Sequence, residues 1–367
     1  MRPTRSQASR RKSESTAALI KHRLAAQQLT APSFDDPAKL VSWMGAVQAQ
    51  DYSSAKWAVG LRLRASPTEA EIERAISDGR IIRTHAFRGT WQLIAPEDVR
   101  WMCALVQSRV ASKAAGRHRE LELDAATLKR SSKVIVKAIE KEGPLTRDEL
   151  GAALKAAKIS PNGQRLPHIL GYVELQGLIC GGPRRAKQFT WKLLETPADG
   201  RSEDDALAEL ATRFFQSRGP ATVGDFTWWT GLTTADANRA IDGAKRDLDS
   251  EELDGELHWR SSKVKAANAK PRAVLLPGFD EWLVGYRNRN RDAVVDPVHK
   301  GPINAGGGII GMCVALEGTI VGTWRRELGR KGVHVAVTPF EKLTARDEGD
   351  IELAIERYAQ FLELPRR

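Results

Sequence analysis

One short grammar recurs along this chain and fixes the kind of fold it can adopt. "VIVKAIEKEGPLTRDELGAALKAA" and "ALAELATRFFQSRGPATVGDF" both place apolar residues at helical spacing, then Gly-Pro, then a Thr able to cap a second helix. An Asp follows in the first turn of that helix, where its charge meets the favourable end of the dipole. After the first of these comes a further helical stretch and a strand pair around a basic turn, "RLPHILGYVELQGLICGGPRRAKQFTWKLL". Nearer the N-terminus, "STAALIKHRLAAQQL" and "DDPAKLVSWMGAV" predict two helices separated by "TAPSF". "SPTEAEIERAISDG" predicts another, with Ser66 as N-cap, Pro67 at the first helical position, Glu69 three residues after the cap and Gly79 as terminator. "RIIRTHAFRGTWQLIAP" alternates apolar and polar side chains around "RG" and predicts a hairpin.

Helices closed by a hairpin make a winged helix-turn-helix. The expectation is an α+β protein of three tandem winged helix-turn-helix units over 16–125, 126–200 and 201–271. From 272 to 367 the texture changes to Gly-punctuated β segments, "AVLLPGFDEWLVGY", "GGGIIGMCVALEGTIVGTWRREL" and "GVHVAVTPFEKL", which predict a small sheet or a barrel-like domain, closed by the helix "DIELAIERYAQFLEL". Residues 1–15, basic, Ser-rich and poor in apolar side chains, read as a disordered arm. Gly306, Gly307 and Gly308 precede no Lys-Ser or Lys-Thr, so a flexible hairpin fits them better than a nucleotide-binding loop.

Charge narrows the partners. Lys and Arg number 57 against 46 Asp and Glu, a net charge of +11, which suits a surface that meets a polyanion; a merely solvated basic surface is the alternative. Cys103, Cys180 and Cys313 lie far apart, with no CxxC and no spaced His partners, so neither a disulfide framework nor a zinc or iron-sulfur site is written in the sequence. No apolar run approaches the roughly 20 residues of a membrane span. The expectation is a cytoplasmic protein without metal or cofactor. In the basic turn, Arg184, Arg185 and Lys187 suit phosphate or minor-groove contact, unless they are simply a solvated turn.

The stretch "LVSWMGAVQAQDYSSAKWAVGLR", with "RTHAFRGTWQLIAPEDVRWM", "GDFTWWTGL", "LLPGFDEWLVGYR" and "GTIVGTWRRE" in that order, resembles the winged-helix DNA glycosylases typified by AlkZ and YcaQ, from about residue 16 to the C-terminus. The resemblance implies a base-excision enzyme for N-alkylated purines, in some members for interstrand crosslinks, with duplex DNA carrying alkylated bases as partner. A monomer associated with the nucleoid is expected. The catalytic signature of that family, Gln, an apolar residue, then Gln or Asp, falls here on Gln48-Ala49-Gln50. Ala49 is smaller than the usual middle residue, and Gln92 stands where many members have His.

In an extended segment residues i and i+2 point to one side, so Gln48 and Gln50 would offer two amides to one pocket while Val47 and Ala49 face the core. Amides do not ionise near neutral pH, so neither is an ordinary general base. A purine alkylated at N7 needs none: it is cationic and leaves neutral. Holding a water against the anomeric carbon and placing carbonyl dipoles near the developing sugar cation would suffice. The rival reading makes the pair a hydrogen-bonded core pair or helix-junction clamp, and Asp51 fits a cap of the next helix.

Around that pair, His85 is a candidate for lesion, sugar or phosphate contact, or an ordinary structural histidine, and Arg88 and Thr90 suit phosphate. Arg83, His85 and Phe87 should share one strand face, and Thr84, Ala86 and Arg88 the other. Asp280 and Glu281, adjacent on one strand, would face opposite ways and so make no glycosidase pair, while Arg287, Arg289 and Arg291 could track a DNA strand. The expectation is a monofunctional glycosylase, with no lysine beside the glutamines for Schiff-base chemistry. A non-enzymatic winged-helix regulator and a protein-interaction scaffold are the alternatives.

Overall fold

The computed structural model describes residues 5–197, 200–253, 255–266, 273–287, 291–304, 310–329 and 331–367, with side chains from residue 14 onward. Arg289 and Gly306 to Gly308 lie outside the described residues.

The same small assembly appears three times. In the first, α1 (Arg5–Ala26), α2 (Pro37–Met44), α3 (Tyr52–Gly60) and α4 (Glu69–Ser77) accompany a sheet of order β1-β3-β2, with β1 Val47–Gln48, β2 Ile82–His85 and β3 Trp91–Ile94. The second has α6 (Ala125–Glu142), α7 (Arg147–Ala156) and α8 (Arg165–Leu175) with sheet order β4-β6-β5, from Leu145–Thr146, Thr190–Leu193 and Ile179–Gly181. In the third, α9 (Glu203–Arg218), α10 (Val223–Thr230) and α11 (Thr234–Ala244) meet the hairpin of β7 (Leu248–Leu253) and β8 (Glu256–Ser261), while Ala221 pairs with Trp259. Each time a very short strand runs onto the second hairpin strand just before a capped helix: Asp51, Thr146 and Thr222 are the N-caps that follow it. Thr146 with Glu149 and Thr222 with Asp225 form complete capping boxes, which is why the Gly-Pro-x-Thr stretches start helices where they do. α5 (Val99–Glu120) joins the first assembly to the second.

Several expectations move. α4 begins two residues later than the Ser66 cap implies, because Thr68 and Glu71 form the capping box. α1 starts at Arg5, inside the stretch expected to be a disordered arm; Arg, Lys, Gln and Ala there are good helix formers despite the low hydropathy. Of the two forms expected for the C-terminal part, the small sheet is found and not a closed barrel. β9 (Ala273–Leu276), β10 (Cys313–Leu316), β11 (Thr319–Gly329) and β12 (Gly332–Pro339) form an open antiparallel sheet of order β12-β11-β10-β9. Its apolar residues are buried by helices instead of by curling onto its own edge: Trp57 of α3 and Tyr358 and Phe361 of the last helix, Ala345–Phe361, join Leu275, Leu276 and Trp324 in one core. Short helices Glu281–Val284 and Lys300–Ile303 lie between β9 and β10.

That core also takes in Leu40, Val47, Ala49 and Leu93, so the C-terminal sheet and the first assembly are buried together. A second core joins Phe87, Ile94 and Met102 to Phe214, Phe226 and Trp229 of the third assembly, and a third lies within the second assembly. β1 therefore runs where two cores meet. Among the described residues no helix is long and apolar enough to cross a membrane.

Candidate active site

Register puts the uncharged polar side chains Gln48, Thr84 and Gln92 of the first sheet on one face. Gln48 pairs with Gln92 and Gln92 with Thr84, so these three stand side by side. Arg83 opposite Leu93, and His85 opposite Trp91, take the other face. The strand alternation stops at His85: Phe87, Arg88 and Gly89 form a tight turn, with Arg88 at φ 57° and Gly89 at φ 71°. The expected grouping of Arg83, His85 and Phe87 therefore ends one residue short, because the connection is a turn and not strand. A side chain at Gly89 would press within 2.9 Å of Val110, so this corner suits only glycine.

The turn brings Arg88 and Thr90 back over Gln48. Gln48, 7% exposed, accepts three donors on its Oε1: Gln92 Nε2 at 2.8 Å, Thr90 Oγ1 at 3.3 Å and Arg88 Nη2 at 3.3 Å. Thr90 has one hydroxyl hydrogen and also reaches Phe87 O at 3.0 Å, so it serves one acceptor at a time. A guanidinium only donates. Arg88 therefore fixes which end of the Gln48 amide is oxygen, and the amide nitrogen is the end left open. Behind it, the backbone N of Gln48 donates to Glu281 Oε1 at 2.8 Å.

Glu281 is fully buried and anchors the floor. Its Oε2 accepts from Arg218 Nη2 at 2.7 Å and from Trp229 Nε1 at 3.0 Å. Arg218 also donates to Met44 O and Ala46 O, so the ion pair ties β1, α10 and the helix Glu281–Val284 into one piece. Asp280 caps that short helix and pairs with Arg62. The two acids do face different partners, but they do so from a helix start and not from a strand.

Arg88 is half-buried and engaged by protein: its Nη1 donates to Trp229 O and, at 3.0 Å, to Trp228 O, the terminal carbonyls of α10. Burial holds its guanidinium below the usual arginine value. Thr90 likewise points to Gln48. Gln50 is exposed, two residues beyond β1, and its side-chain amide has no hydrogen-bond partner among the described residues. Val47 and Ala49 are buried in the core. Asp51 caps α3 through Ser54 N at 2.6 Å.

His85 does not join the glutamines. From the opposite face, its Nδ1 meets the buried Glu174, whose other oxygen accepts from Trp191 Nε1 at 2.7 Å, and its ring lies 4.0 Å from that of Trp91. In the basic turn, Arg184 folds inward between Tyr52 and Phe189, Arg185 pairs with Glu149 at 2.6 Å, and Lys187 stays exposed. Arg287 is exposed, its backbone N held by Asp225 at 3.0 Å. A groove of about 470 Å³ runs from Arg88 and Gly89 between α5 and α8, past Lys113, Arg117, His118 and His168. Among the described residues no cluster of three or more His, Cys, Asp or Glu side chains is arranged to hold a metal ion.

Gln92 and Glu281 are the partners the sequence did not point out as such. A hairpin register aligned on Gln48 would have exposed Gln92; nothing local announces Glu281, which arrives from 233 residues away.

The chain matches the family described as DNA glycosylase AlkZ-like over residues 41–361. It is 27% identical over 338 residues to the interstrand DNA cross-link repair glycosylase of Streptomyces sahachiroi, spanning 85% of this chain and 86% of that protein. Its fold is similar to the solved structure of Streptomyces sahachiroi DNA glycosylase AlkZ, with a TM-score of 0.78 at 21% identity over 96% of this chain and 98% of that one. With the match running from α2 to the last helix, through every residue around Gln48, the chain belongs to the AlkZ-like DNA glycosylases.

Proposed function

We propose that this glycosylase hydrolyses the N-glycosidic bond of cationic N-alkylated purines of the N7-alkylguanine type in duplex DNA, and that it opens interstrand crosslinks built on such bases. The observation that carries this reading is the locked amide of Gln48 beside the free amide of Gln50. Gln48 offers N–H to the oxygen of a water; Gln50 offers a carbonyl oxygen to one of its hydrogens and a negative dipole end to the sugar. The bond from C1′ to the purine nitrogen breaks with its electron pair going to the base, which departs neutral. The water oxygen bonds to C1′ and its proton passes to solvent, leaving an abasic site. Neither glutamine changes protonation state. An unalkylated purine, which would leave as an anion, is spared.

Among the described residues no lysine hydrogen-bonds Gln48, which favours hydrolysis alone over strand-cleaving lyase chemistry. The activated leaving group makes a metal ion dispensable. The name of the Streptomyces relative supports the crosslink part of the reading.

In this reading the three repeated assemblies are winged helix-turn-helix units, and the duplex is held through phosphates by exposed cations such as Lys187, Arg287, Lys113 and Arg117. Affinity then falls steeply with salt and little with sequence. The protein acts as a monomer on chromosomal DNA in the cytoplasm. The test is incubation of the pure protein with duplexes carrying one N7-methylguanine or one nitrogen-mustard crosslink. Alkali-labile sites at the lesion are expected, in chelator as well as without it; intact strands would overturn the reading.

A further inference from the structure

Among the described residues Trp228 is the most exposed tryptophan, at 43%, and Arg88, which donates to Gln48 Oε1, also donates to its backbone carbonyl. Its position is fixed from three sides. The indole Nε1 donates to Val284 O at 3.2 Å, the backbone carbonyl accepts from Arg88, and α10 ends three residues on at Gly231, in the left-handed conformation. Arg88 in turn donates to Gln48 Oε1, so a single side chain links the exposed ring to the candidate catalytic amide. Two cations approach that ring: the guanidinium carbon of Arg88 lies 5.9 Å from its centroid and that of Arg291 lies 5.7 Å away. Burial, and then the charge of Arg88, push Arg291 down to about 10, against the opposing pull of Asp225.

An exposed indole is ordinarily a surface to be covered. Its neighbour Trp229 shows the alternative: it is buried in the core, with its N–H on Glu281. Helical geometry turns Trp228 away from that core, and its polar edge is bound to a backbone carbonyl, which leaves the ring as an aromatic face rimmed by positive charge. That combination, a π-face with cations at its edge, is how proteins hold an unstacked base together with its phosphate, without regard to sequence.

We propose that Trp228 is a stacking platform for a base of the DNA strand that has lost its helical neighbour when the damaged nucleotide enters the Gln48 site. The proposal rests on the reading that Gln48 faces the reacting nucleotide. Repairing the interrupted stack keeps the duplex open at the lesion. The occupant is any unstacked base, undamaged ones included.

The experiment uses the full chain and DNA without any lesion: equilibrium binding, at one fixed salt concentration, to a fully paired duplex and to the same duplex carrying one extra unpaired nucleotide. The parent protein is expected to prefer the bulged duplex. Trp228→Ala should weaken binding to it by about fivefold or more, the scale of one base stacked on an aromatic ring, and should leave the paired duplex within about twofold. Trp228→Phe, which keeps a ring but not the N–H, should retain most of the preference. Equal weakening on both duplexes, no weakening, or a phenylalanine variant that behaves like alanine would overturn the platform. Because no base is released in this assay, it speaks to Trp228 alone, whereas failure to release N7-methylguanine would speak only to the proposed reaction.

Discussion

Arg88 Nη2 lies 3.3 Å from Gln48 Oε1, and that one contact decides which end of the Gln48 amide a substrate meets. In the proposed reaction Arg88, which the sequence offers as a phosphate contact, acts as a positioning residue. Arg88→Lys keeps a charge but loses the fork that reaches Gln48 and the α10 carbonyls together. Single-turnover base release should slow by about tenfold, equivalent to ~1.4 kcal/mol, with affinity for undamaged duplex within about twofold. A loss of duplex affinity with an unchanged rate on bound substrate would return Arg88 to the phosphates.

His85 belongs to the other face of the same sheet, so His85→Gln should leave base release within about threefold of the parent, less than one good hydrogen bond is worth in rate. A fall of more than about tenfold in single turnover, in a protein with unchanged thermal stability, would show that the imidazole reaches the lesion.

Much of the architecture is legible before any coordinates. The recurrent Gly-Pro-x-Thr starts are real because their capping chemistry is local, complete within four residues at Thr146 to Glu149 and at Thr222 to Asp225. The hairpin around Arg88 and Gly89 is likewise written in alternation and a turn residue. What escapes is whatever depends on distant chain. Nothing near Gln48 announces Glu281, and nothing in "GGPRRAKQ" says that Arg184 turns inward to Tyr52 and Phe189. The sequence leaves sheet and barrel both open for the same reason: strand content is local, but whether a sheet closes or is covered by helices is decided by α3 and the last helix.

The ion pair of Glu281 with Arg218 holds the floor of the site with both side chains out of solvent. Glu281→Ala strands the guanidinium and also removes the acceptor for Gln48 N and Trp229 Nε1, so unfolding in urea should show a loss of roughly 3–5 kcal/mol. A loss below about 1 kcal/mol, the value of an exposed pair, would mean that the pair is not isolated from water.

His118 and His168 stack edge to face with centroids 5.3 Å apart, and burial holds both below the ordinary imidazole value, the charges of His118 and Arg117 adding to the effect at His168. With folded values below the unfolded one, the unfolded chain binds protons first. Their contribution to stability is present above about pH 6.5 and is lost as pH falls through the folded values. Urea midpoints should therefore drop between about pH 7.5 and about pH 5.5, and the variant with both His118→Gln and His168→Gln should drop less. An equal drop in parent and variant would place the acid sensitivity elsewhere.

The central claim is that Gln48 and Gln50 carry the chemical step while affinity for DNA lies in other residues. The most direct measurement is single-turnover release of N7-methylguanine from a duplex by the parent, by Gln48→Ala and by Gln50→Ala, alongside binding to undamaged duplex. Each substitution is expected to slow release by about tenfold or more, if each orienting hydrogen bond stabilises the transition state by at least ~1.4 kcal/mol, with binding nearly unchanged. Gln50→Asp, the other form of the family signature, should keep partial activity. A folded variant with both glutamines replaced by alanine that releases the base as fast as the parent would contradict the account and leave the pair as structural residues at the junction of two cores.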